Sequence, residues 1–137
     1  MDLPPMLPLL PMRLALGADL RRALEQAGVA QGFVVSGIGS LKDVQLRFAG
    51  AAAATLLPGD FEIVSLAGTI TPDGAHLHMA VSDAQGRVFG GHVVHGNVVR
   101  TTAEILLAAT PGWELLRAFD AATGFPELLV RPAVKTP

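Results

Sequence analysis

The chain has 137 residues, half of them apolar, with 10 basic against 12 acidic side chains, a net charge of −2 and no cysteine. That length fits one domain with a core of its own, and the missing cysteine excludes disulfides, thiol catalysis and thiolate metal sites together. Scattered basic residues in a weakly acidic chain do not supply the phosphate neutralisation that non-specific nucleic-acid binding needs.

Mean hydropathy is +0.46 with only 16% charged residues, yet no apolar run of about 18 residues is present to span a bilayer. The apolar excess is therefore expected at a subunit interface. Residues 1–12 carry Asp2 and Pro4, Pro5, Pro8 and Pro11 without a basic n-region, which predicts an extended arm rather than a signal peptide, and a cytoplasmic protein. From Asp19 the pattern becomes helical: Leu20, Ala23, Leu24 and Ala27 share a face, Asp19 caps the start and Gly28 offers the left-handed stop. Phe33 to Val35 reads as a buried strand, Gly37 to Leu41 as a glycine-rich turn, and Val44 to Phe48 as a half-exposed strand. After a small-residue loop at Gly50 to Ala54, strands are predicted at Phe61–Thr71, His76–Ser82, Val88–Val94 and Val98–Ala109. The turn signals Pro72-Asp73-Gly74 and Ala84-Gln85-Gly86 separate the first three of these. Beyond Gly112 the periodicity is too weak to assign. The fold class is α+β: a mostly antiparallel sheet or partial barrel with one main helix packed on it. Residues 13–130 form the domain, and 131–137 a flexible tail.

All four histidines lie between Ala75 and Gly96. Positions i and i+2 of a strand project to one face, so His76 and His78 point together while Leu77 and Met79 face the core. His92 follows Gly90-Gly91, and a hairpin through residues 84–86 brings it alongside that pair. Three neutral imidazoles with an open fourth position suit zinc or another divalent ion. His95 has the opposite parity and is expected outside the site. The plainer alternative makes these histidines exposed strand residues, hydrogen-bonded across the hairpin.

Glu62 and Glu104 enter otherwise apolar strands and must be paired or face solvent; Arg13, Arg47 and Arg100 are candidate partners. Beside a metal-bound water, either carboxylate is a candidate general base. Gly37-Ile38-Gly39-Ser40 lacks the third glycine of a dinucleotide loop and the Gly-Lys-Ser/Thr end of a P-loop. Ser36 or Ser40 with Asp43 and a histidine lacks nucleophile-elbow spacing.

Taken in order, Arg13-Leu14, Gly17-Ala18-Asp19-Leu20, Gly37-Ile38-Gly39-Ser40-Leu41, Gly59-Asp60-Phe61-Glu62-Ile63-Val64, His76-Leu77-His78, Gly90-Gly91-His92 and Thr102-Ala103-Glu104 resemble the PPC (plants and prokaryotes conserved) domain family. The tail around Arg117, Asp120, Thr123-Gly124-Phe125 and Glu127-Leu128 also resembles it. The cupin barrel, which shares a His-x-His pair, fits less well, because Gly90-Gly91-His92 arrives too early. The PPC resemblance implies a homotrimer and, from some prokaryotic relatives, metal ligation by His76, His78 and His92. In plants the similar domain follows an AT-hook; this sequence has no Arg-Gly-Arg-Pro core, which with its net charge argues against direct DNA contact. The expected function is a homotrimeric binding or regulatory module for a protein or small-molecule ligand, of the bacterial type without an AT-hook. The alternatives are a zinc-dependent enzyme acting on a small molecule and a DNA-binding regulator.

Overall fold

The computed structural model describes residues 8–134; the first seven residues of the proline-rich arm and the last three of the expected tail lie outside them. The elements in chain order are β1 (Leu9–Ala15), α1 (Leu20–Glu25), β2 (Gly32–Arg47), β3 (Thr55–Thr71), β4 (Gly74–Ser82), β5 (Val88–Val93), β6 (Val98–Ala109), β7 (Trp113–Asp120) and β8 (Phe125–Pro132). Six strands form one antiparallel sheet in the order β1-β6-β2-β3-β4-β5, and β7-β8 is a separate hairpin.

The length of β2 determines the shape. β3 lies along one edge of β2, and β6 covers the other as far as Lys42. Beyond that point β5 takes over the second edge at Leu46 and Arg47, so β2, β3, β4 and β5 rejoin at one end as a partial barrel. Gly91 permits the closure: a Cβ there would stand 3.0 Å from the Arg47 carbonyl oxygen and 3.2 Å from Leu46 Cβ.

Expectations change at several points: of the strand expected to be buried only Val34 is so, with Phe33 and Val35 exposed, and β3 starts at Thr55 rather than Phe61. Gly37 to Leu41 is not a turn but the middle of β2, where Gly37 pairs with Ile105 and Gly39 with Ile63 and Ala103. The register shifts between Val34 and Ser36, Gly39 and Leu41, and Lys42 and Val44, so these glycines mark bulges and close backbone approach, which share glycine with turns. The helix is also shorter than its apolar spacing predicts. It ends at Glu25 with Gln26 as C-cap, while Asp19 caps it by accepting from the Arg22 amide at 3.0 Å. β1 reaches back to Leu9 as an edge strand on β6 with Pro11 opposite Leu106, a position where a missing donor is tolerated.

The core lies on the inner face, where Leu20 and Leu24 of α1 join Leu41, Leu46, Leu77, Val81, Val93 and Leu107, all fully buried. Asn97, also fully buried, pins the chain after β5 to β2. Its Oδ1 accepts from the Gln45 amide at 2.8 Å, and its Nδ2 donates to the Gln45 and Val94 carbonyls at 2.9 and 3.0 Å. Asn97→Ala orphans those part-buried backbone groups, each worth about 1–3 kcal/mol when left unpaired. We expect about 3 kcal/mol of destabilisation, read as a lower urea midpoint at unchanged m-value; a midpoint equal to the parent's would refute the pinning role.

Candidate metal centre

Alternation along β4 buries Ala75, Leu77, Met79 and Val81, which leaves His76 and His78 on the opposite face. The hairpin register then sets His92 directly across from His78, and the closure of β5 on β2 sets Arg47 beside His92. The three rings form a triangle, with centroids 4.9 Å apart for His76–His78, 4.9 Å for His76–His92 and 5.4 Å for His78–His92. One nitrogen from each lies within 4.8 Å of the others. Zn–N bonds of about 2.0–2.1 Å in a tetrahedron need nitrogens about 3.4 Å apart, a contraction within reach of small side-chain rotations.

The β7-β8 hairpin supplies the adjoining wall. It docks through the buried Leu115, whose amide donates to the Gln31 side chain, and through the Arg117 amide, which donates to Asp73 Oδ2 at 3.0 Å. That places the Arg117 guanidinium to donate from Nη2 to Thr69 Oγ1 at 2.7 Å and to His76 Nδ1 at 3.2 Å. Thr69 is the β3 residue opposite His76, so three elements meet at this imidazole.

Burial, reinforced by the Arg47 charge, pushes His92 down to about 4. Burial and the Arg117 charge also hold His76 below the ordinary histidine range. Both rings are therefore neutral at pH 7, the form that ligates a cation, although the lone pair of His76 is engaged by Arg117. A depressed histidine takes up its proton later in the folded protein than in the unfolded chain, so this contribution to stability is intact above about pH 6.5 and is lost as pH falls toward 4. We expect the affinity for a divalent ion to be flat above that range and to fall below it, checked by titrating Co2+ at stepwise pH. Affinity still rising from pH 7 to 8 would count against His76 and His92 being held neutral.

Besides a small one of about 190 Å³ along Ala67, Gly68 and Thr69, two clefts open beside the triangle. One, of about 420 Å³, is lined by Arg47, Phe48, all three histidines and Gly91. The other, of about 740 Å³, is lined by Arg47, His76, His92, Arg117, Phe125 and Glu127.

The remaining candidates stand elsewhere. Glu62 pairs with Ser40 and Ser82 and is exposed; Ser82 is about 13 Å along β4 from His78. Glu104, also exposed, lies on β6 opposite Arg13 and Ile38, in a separate cleft with Met12. Neither carboxylate is in an ion pair among the described residues. Arg13 donates instead to Thr102 Oγ1 at 3.0 Å, and Arg100 lies 4.0 Å from Asp60. Facing water, both carboxylates are solvated without a partner. His95 is outside the triangle, held 2.6 Å from Glu25. Burial works against ionising Glu25, but the Ala75 amide, His95 and Arg21 outweigh it and keep its carboxyl below the usual range. The bond from the Ala75 amide, 3.0 Å long, ties α1 to the start of β4 immediately before His76.

The Plants and Prokaryotes Conserved (PCC) domain, the PPC family named above, matches residues 11–111. This chain belongs to that family. Among PPC relatives, bifunctional protein GlmU of Synechococcus sp. (strain JA-2-3B'a(2-13)) is 42% identical over 138 residues, covering 98% of this chain and 22% of that protein. AT-hook motif nuclear-localized protein 21 of Arabidopsis thaliana is 37% identical over 83 residues, covering 56% of this chain and 29% of that protein. The chain thus spans only about a fifth to a third of the length of the curated relatives it matches. A hypothetical protein of Salmonella cholerae-suis superposes with a TM-score of 0.87 at 37% identity, covering 92% of this chain and 94% of that one. The metal-containing protein AF0104 of Archaeoglobus fulgidus superposes with a TM-score of 0.74 at 27% identity over 88% and 92% of the two chains. The three histidines of this PPC domain were legible as a set in the sequence, whereas the convergence of Arg47, Arg117 and Glu127 on them was not. Arg47 comes from the barrel closure, and the other two from a hairpin with no clear sequence periodicity.

Proposed function

We propose that this PPC domain is a homotrimeric binding module whose His76, His78 and His92 hold a divalent ion, zinc being the best match to three neutral nitrogens. The observation that carries the reading is the convergence of three imidazoles from two paired strands, with ligand nitrogens within 4.8 Å of one another. The donor set fits the ion: two of the rings are held neutral by burial and neighbouring guanidinium groups. When bound, such an ion would supply a Lewis-acidic centre with an open position. His76 gives its Nδ1 lone pair to Arg117, so ligation through Nε2 requires the other tautomer and release of that hydrogen bond. The test is elemental analysis of untagged protein beside His76→Ala, His78→Ala and His92→Ala. About one ion per chain in the parent, lost in all three variants, is the expected result; no retained metal after zinc addition would overturn it.

Assembly is supported by the outer face of the sheet. There Phe33, Val35, Ile38 and Val64 of neighbouring strands β2 and β3 are 40%, 54%, 52% and 53% exposed, an apolar patch that a subunit contact would bury. The number of subunits follows the family resemblance. Ile38→Glu places a charge in that patch and is expected to shift the mass in light scattering from trimer to monomer. A parent already monomeric at working concentration would remove the proposal.

The enzyme reading uses the same ion and needs a base at the cleft, where Glu127 is the carboxylate that faces it. The net charge of −2 argues against direct DNA contact in this domain. A gel shift on A·T-rich duplex that weakens with rising salt would reverse that judgement.

A further inference from the structure

From the second cleft we infer that the three-histidine site takes a small oxyanion, a carboxylate or phosphate ester with a compact apolar body, whose anionic group lies between Arg47 and Arg117. The two guanidinium groups arrive from β2 and β7 and line the same 740 Å³ cleft as His76 and His92, a volume in the range of small-molecule sites. Among the described residues neither arginine has a carboxylate within ion-pair distance. Arg47 has one long contact, from Nη1 to the Ala51 carbonyl at 3.4 Å, and Arg117 donates to the neutral Thr69 and His76. Arg21, the other guanidinium near these rings, is already paired with Glu25 at 3.6 Å.

The one acid lining the cleft is Glu127, whose Oε1 accepts from Thr123 Oγ1 at 3.1 Å. Two cations against one anion leave the cleft positive before any ion is bound, and a divalent ion would add to that charge. Planar guanidinium forks match carboxylate and phosphate oxygens in paired hydrogen bonds. The rest of the wall is apolar, with Ala51, Ala52, Phe125 and Pro126, which suits the body of the ligand rather than its charged end. This inference rests on the metal-centre reading for the identity of the site, but the arginines are in place without the ion.

The test is calorimetric titration of phenyl phosphate, inorganic phosphate and phenol into EDTA-stripped and zinc-loaded protein, with metal content measured on each sample. Phenyl phosphate should bind more tightly than inorganic phosphate, and phenol should not bind. Arg47→Gln and Arg117→Gln should each weaken phenyl phosphate at least tenfold, while Arg13→Gln leaves it unchanged. Arg47→Gln removes only one long hydrogen bond, so it keeps the test decisive if Arg117→Gln loosens the hairpin. Arginine-dependent binding in either form supports the subsite, and if it is found in protein that takes up no zinc on loading, only the metal reading fails. No binding at low salt, or equal affinity in the parent and Arg47→Gln, overturns the subsite whatever the metal content.

Discussion

His92→Ala is expected to lower zinc affinity by at least about a hundredfold, because loss of an outer-shell partner alone costs about 10–100-fold and this change removes a direct ligand. His92 faces His78 across the hairpin and lies 4.9 Å, ring to ring, from His76. Its removal leaves the two histidines of one strand, a chelate of two where three converged. The substitution should be gentle on the fold, since His92 projects from β5 on the face opposite the buried Val93. His95→Ala supplies the contrast: it breaks the 2.6 Å contact with Glu25 and leaves the triangle intact, so it should alter stability while the zinc isotherm stays fixed. Competition against a chromophoric chelator measures both variants, and unchanged zinc affinity in His92→Ala would sink the three-histidine reading.

The difference between what the sequence revealed and what it hid follows the range of the interactions involved. His76, His78 and His92 could be grouped from strand parity and one short hairpin, and the Asp19 cap from a contact three residues away. Parity also put His95 outside. The internal glycines of β2 were misread because a bulge and a turn select the same residue for related reasons, and only the partners Ile63, Ala103 and Ile105 distinguish them. The β7-β8 hairpin left little pattern because Leu115 is its one buried large side chain. Without a buried stripe there is no alternation to read. Its placement depends on Gln31 and Asp73, which lie 84 and 44 residues from the amides they accept. Arg117 therefore reaches His76 through contacts that no local window contains, and the cleft's charge was hidden with it.

Gly68→Ala tests how tightly the backbone itself positions the histidines. Gly68 lies on β3 opposite Leu77, between the pairs Ala67–His78 and Thr69–His76. A Cβ there would collide with the His76 carbonyl oxygen and stand 2.8 Å from Leu77 Cα. Both obstacles are backbone, so no rotamer change relieves them, and β3 must separate from β4 at the point where both histidines are anchored. Overpacking costs about 1–3 kcal/mol when side chains can yield; here the expected loss is about 3 kcal/mol, or roughly 10 °C in melting temperature for a domain of this size. Gly90→Ala is the matched control, since its nearest contact is an ordinary 3.5 Å to the Met79 carbonyl oxygen, and it should melt within about 1 °C of the parent. Because the strain falls between the ligands, Gly68→Ala should also weaken zinc binding at temperatures where the variant is fully folded, a loss that lower stability alone does not produce. Normal zinc affinity in folded Gly68→Ala would mean that the histidines tolerate displacement of β3, and that the β4-β5 hairpin by itself holds the site.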